Sequence, residues 1–308
     1  MGGQDLLKRS IFERILWLAC TAAAALTAAA LRRWQLNSAF EESTGLAIPG
    51  AQASVILTCV LVMTGAGFAI IALVGLSLPK KFRWDQVFLS AGDRAFPVLE
   101  IAAAFFALAA VPVFFVVGVG KFQAYQDALK VHIQPPTDNG VLTLVTAGGA
   151  LLAALGLLQT GRDSLNPGRR GRGGFAIALP GVAGCVWLME SFRSHAANPV
   201  RWDYAPQLLA IVLGMAFYMD FAGMSADTAR PRRLLWVSGM TVVFSAVALV
   251  GAVTELSLVS AQMGDLLLLL SQTLAAVGVL WRLPSSLDEP SWPGPEPIQE
   301  IQEDTDDE

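Results

Sequence analysis

IAAAFFALAAVPVFFVV, residues 101–117, decides the fold. The run carries no charge and no polar alternation, and it is too long for a buried strand. In hydrocarbon only helices and closed barrels satisfy every backbone hydrogen bond. A barrel strand alternates apolar with polar positions over ~10 residues. Neither this stretch nor LLLLLSQTLAAVGVL at 266–280 does so, and both therefore read as membrane helices.

Working outward, comparable apolar runs lie at roughly 12–31, 52–78, 95–119, 140–160, 174–192, 206–226, 234–254 and 263–281. The expectation is an all-α polytopic bundle of about eight transmembrane helices arranged as four hairpins. Composition agrees. Of 308 residues 54% are hydrophobic and only 15% are charged, against about 25% charged in soluble domains. Mean hydropathy is +0.55. Eight spans of ~20 residues take up ~160, about half the chain. Cys20, Cys59 and Cys185 all fall inside spans, which excludes a disulfide scaffold.

The first run, with TAAAALTAAA at 21–30, has the composition of a retained helix or of a cleaved leader. Arg32 and Arg33 follow directly, poor context for a cleavage site, so a retained helix is expected. Pro112 and the Pro180-Gly181 pair predict kinks.

Short loops rich in Lys and Arg stay cytoplasmic. Alternate loops divide the 21 basic residues fifteen to six, the six being Arg32, Arg33, Lys121, Lys130, Arg193 and Arg201. Both termini are therefore expected in the cytoplasm, with the protein in the cell membrane. Residues 1–282 form the membrane domain. Residues 283–308 hold five prolines, nine carboxylates and no basic residue, and read as a disordered cytoplasmic tail. Removing those nine carboxylates from the chain's 25 leaves 16 acidic against 21 basic residues. The body is thus basic, and the net charge of −4 belongs to the tail.

Ionisable groups within spans cost roughly 2.5–3.5 kcal/mol each at helix centre and point to function. Glu100 and Asp220 lie at similar depth, with Tyr218 beside the latter, and two such carboxylates can share a proton. A second group, Glu190, Arg193, Arg201, Asp203, Glu255 and Asp265, marks an outer vestibule or simply interfacial helix ends. Glu190 and Arg193 have the i, i+3 spacing of a helix pair.

Recognisable enzyme motifs are absent from the sequence. Gln262 replaces the first glycine of a Gly-x-Gly-Asp element at Asp265, and no zinc-protease, Walker A or nucleophile-elbow motif occurs. No catalytic residue, metal site or cofactor is expected. The basic Gly-rich loop 168–174 suits anionic lipid headgroups rather than nucleic acid. The expected role is an accessory or assembly component of the membrane, binding a membrane-protein partner or a second copy of the chain. The alternatives are a small-solute or proton-coupled transporter using Glu100 and Asp220, and a membrane enzyme on lipid-type substrates.

Overall fold

The computed structural model describes residues 3–41, 46–75, 88, 94–165, 173–196, 204–225, 230–254 and 261–284. The acidic tail past residue 284 and the basic loop 166–172 lie outside these, as do Arg201, Asp203 and Glu255. Among the described residues the chain is helical, with one isolated bridge, Phe40 to Ala47, and no strand.

The helices are α1 (Gly3–Ser38), α2 (Gln52–Ile70), α3 (Ala95–Lys130), α4 (Val141–Leu165), α5 (Gly173–Ala196), α6 (Ala205–Ser225), α7 (Pro231–Thr254) and α8 (Ala261–Arg282), and α2 runs on into a π turn at Ile71–Gly75. Eight helices are long and apolar enough to cross a membrane. Four run further than the apolar pattern indicates, α4 to Leu165 and α5 to Ala196 by about a turn and two others by more. α1 continues past Leu31 through Arg32 and Arg33, and α3 continues eleven residues beyond 119. The charge at Lys121 ends the apolar run there but not the helix. The following Phe122 to Lys130 are mostly helix-compatible, and Asp127 pairs with Lys130 at 2.9 Å one turn away.

Helices α3 to α8 form a closed ring. Each packs on the next, and α8 returns to pack on α3. Outside the ring, α1 lies mainly against α7, and α2 against α1 and α7. Cross-helix contacts define two ends. Arg14 over Trp281, Trp17 beside Phe68 and Phe96 beside Phe221 gather at the near end. Lys121, Glu190 and Asp265 gather at the far end.

Aromatic rings cluster at the near end. Phe88 lies 4.9 Å from Phe96 and 5.1 Å from Phe221, and Phe217 stacks on Phe221 at 5.7 Å. Toward the far end the ring is packed by Phe114, Trp187, Ile211 and Leu269. Small residues bring helices together. Pro180 lies within α5, and with no N–H it leaves the carbonyl of Ala176, four residues back, without its usual partner. That carbonyl faces Gly156 of α4, where a Cβ would overlap it. Close backbone approach at a small residue is how membrane helices gain packing in the absence of a hydrophobic drive.

Candidate functional site

Buried hydroxyls separate the structural from the functional here. Thr160, Ser164, Ser238 and Thr241 each donate to the carbonyl four residues back in their own helix. That bond satisfies them locally and leaves nothing to explain. Some polar groups that reach outside their own helix tie α1 to α2 and α2 to α7, as Gln35 does to Ser54 and Trp236 to the Gly65 carbonyl; those inside the ring fall into two clusters.

At the far end, the carboxylate of Glu190 on α5 accepts from Thr143 Oγ1 of α4 at 3.1 Å and lies 3.5 Å from Lys121 Nζ of α3. The same Nζ donates to Thr143 Oγ1 at 3.2 Å and lies 2.8 Å from Asp138 Oδ2 in the α3–α4 loop. Asp265, the fifth residue of α8, accepts from Trp187 Nε1 at 2.6 Å and from Gln207 of α6. Glu190 and Asp265 are 3% and 4% exposed and close enough to repel one another.

Local sequence sets this geometry. Gly140 takes φ +72°, where a Cβ would overlap the Gly118 carbonyl of α3, so only glycine lets the loop sit tight against that helix. Its N–H donates to Asp138 Oδ1 at 3.0 Å, which turns the carboxylate toward Lys121. Burial alone raises the Asp138 carboxyl. The hydrogen bonds from Lys121 and Gly140, with the charges of Lys121 and Arg193, outweigh burial and hold it below its ordinary 3.8.

Toward the near end, Glu100 of α3 is fully buried, and neither of its carboxyl oxygens has a hydrogen-bond partner among the described residues. It sits inside the ring between Gly161 of α4 and Gly278 of α8, within electrostatic reach of Tyr218 of α6. Tyr218 shares a hydrogen bond with Ser271, whose Oγ donates to the Ala103 carbonyl at 2.8 Å. Gln272 donates to Ser245 Oγ at 2.8 Å and to the Ala210 carbonyl at 3.2 Å.

Between the two clusters lies a cavity of about 30 Å³, lined by Thr146, Trp187, Gly214, Tyr218, Ser271 and Gln272 among others. One water needs about 10–15 Å³ measured this way, so there is room for two. Gly214 keeps this space, since a Cβ there would overlap Gln272 Oε1.

Glu100 and Asp220 have different surroundings. Asp220 Oδ2 lies 2.9 Å from Arg233 Nε of α7, with side chains 14% and 63% exposed. Residues 218 and 220 are two apart on α6 and cannot face the same way. Tyr218 therefore takes the inward direction and Asp220 the outward one. Of the vestibule residues, Glu190 and Asp265 come together, whereas Arg193 turns to the rim and donates to the Thr137 carbonyl at 2.9 Å. Arg193 thus does not pair with Glu190, whose cation is Lys121.

Sequence reasoning missed Lys121, Asp138, Thr143, Trp187, Ser271 and Gln272 as site residues. The Ser271-Gln272-Thr273 triplet interrupting five leucines of α8 was the available signal. Among the described residues no group of three or more His, Cys, Asp or Glu side chains is placed to hold a metal ion. Comparison with known proteins gives no match to any family model, curated protein or solved structure.

Proposed function

We propose that the protein translocates protons across the cell membrane through the interior of its six-helix ring, with Glu100 as the essential carrier. The observation that carries this reading is a fully buried carboxyl, its two oxygens unpartnered among the described residues, at one end of a polar cavity. An unpaired carboxylate in such a place is costly, and binding a proton removes that cost. By the basic-residue asymmetry the near end faces the cytoplasm.

Distance decides between an open wire and a gated path. Glu100 is level with Gly278, thirteen residues from Asp265 on α8, hence ~20 Å along the axis at 1.5 Å per residue. At ~2.8 Å per hydrogen bond, about seven links are needed. Ser271, Tyr218 and two waters supply four stepping points, so about five links, because the Thr146 hydroxyl already bonds the Leu142 carbonyl of its own helix. The path is two links short. Such a protein moves protons through a conformational step rather than as an open pore.

Uptake into vesicles under an imposed pH gradient tests the residue assignment. Glu100→Gln should lower proton-driven flux at least tenfold, and Asp220→Asn should leave it within about twofold. Equal loss in both variants, or none in Glu100→Gln, contradicts the reading.

An accessory role remains the second reading, and one observation favours it. The α1–α2 pair packs outside the ring, and most of α2 is uncovered by the rest of the chain. A stable complex recovered through α2 from native membranes, with no flux in the purified protein, would decide for it.

A further inference from the structure

The far-end cluster does not balance in charge. Asp138, Glu190 and Asp265 supply three carboxylates, and the described cations near them are Lys121 and Arg193. Arg193 is spent on the rim, where it bonds the Thr137 carbonyl and acts on Asp138. Among the described residues Lys121 alone serves the interior, and it is divided between half-buried Asp138 and buried Glu190. Glu190 Oε2 is buried and has no hydrogen-bond partner among the described residues, and Glu190 lies within electrostatic reach of Asp265.

We propose that Glu190 and Asp265 together bind one exchangeable proton, and that Lys121 governs its release by shifting between Asp138 and Glu190. The chemistry is acid–base only. With the Lys121 ammonium drawn to Asp138, Glu190 keeps the proton against the charge of Asp265. With the ammonium on Glu190, directly and through the Thr143 hydroxyl, both carboxylates ionise and the proton leaves. Thr143 fits this relay because its Oγ accepts from Lys121 while donating to Glu190. Asp265 stays oriented throughout by the Trp187 indole and by Gln207, and Gln207 is itself held by donating to Ser191 Oγ at 3.2 Å. A metal cation is the lesser fit, because a tethered ammonium already occupies the approach. The proton site stands on the burial of both carboxylates, the unpartnered Glu190 Oε2 and the Lys121 and Thr143 contacts. Only its role as the far-side station rests on the proton-translocating reading above.

Proton release from the full chain in lipid nanodiscs, scanned from pH 4 to 9, tests the proposal. One proton per chain should disappear from the release curve in Glu190→Gln and in Asp265→Asn, and persist in Glu100→Gln. Lys121→Met should retain it to higher pH and Asp138→Asn should release it at lower pH. Each shift should be about one pH unit or more, the size an opposite charge within 4–6 Å produces. Opposite signs show that both charges act on the site, and loss of the Asp138→Asn shift in a Lys121→Met background shows that Asp138 acts through Lys121, which a merely structural lysine does not produce. An unchanged curve in Glu190→Gln overturns the proposal, as do shifts of one sign in the two lysine-partner variants. Dependence of the release on 100 mM sodium overturns it in favour of a metal cation. If Lys121→Met fails to fold, Asp138→Asn, on the rim, decides alone. If the release behaves as expected but none of these variants alters proton flux, the site survives and the transport reading fails.

Discussion

At the residue scale, burial and pairing separate the two acidic groups that similar depth had put together. Asp220 has a guanidinium and partial exposure, which gives it the character of a structural ion pair. Glu100 has neither, and no structural gain explains a carboxyl at that position. The sequence shows that both residues lie in spans but cannot show rotation about the helix axis to the accuracy required. Two positions along α6 decide that Tyr218 faces inward and Asp220 does not. Lys121 was legible only as the charge ending an apolar run, because its partners come from α4, α5 and a loop brought near by folding.

Asp138 carries a pH prediction with a definite sign. Its folded carboxyl titrates below 3.8, so the stabilisation it gives is present above the unfolded value. It is lost as pH falls through the folded one. The contribution of Asp138 to far-end stability should thus be flat from neutral pH down to about pH 4 and decline below it. Amide exchange at the start of α4 is the readout. The decline should vanish in Asp138→Asn, and a decline already complete by pH 6 contradicts the assignment.

At the element scale, helix number and approximate position were readable because hydrocarbon demands long apolar helices. Helix ends were not. α1 and α3 run on through charges, since a membrane boundary ends an apolar pattern without ending a helix. Helix pairing was also beyond the sequence, because the α4–α5 contact depends on one glycine meeting one proline-freed carbonyl. Gly156→Val should destabilise the protein by about 1–3 kcal/mol, the usual cost of overpacking, seen as a lower melting temperature in detergent. Gly148→Val is the control, because a Cβ at Gly148 meets nothing within 4 Å. Equal melting of the two variants would show that the close α4–α5 approach is not formed.

At the scale of the whole molecule, the ring α3–α8 contains both carboxyl clusters and the cavity, and α1–α2 contributes to neither. The apolar composition made the membrane bundle evident, but a closed ring follows only from the return of α8 to α3. That closure makes an interior, and the interior is what turns scattered polar residues into a path. The most direct measurement is proton entry into liposomes reconstituted with the full chain, read from a trapped pH dye after a potassium diffusion potential is applied. Wild-type liposomes should acidify well beyond empty ones, and Glu100→Gln should reduce that excess at least tenfold. Wild-type liposomes no more permeable to protons than empty ones, or a Glu100→Gln rate equal to wild type, would contradict the account.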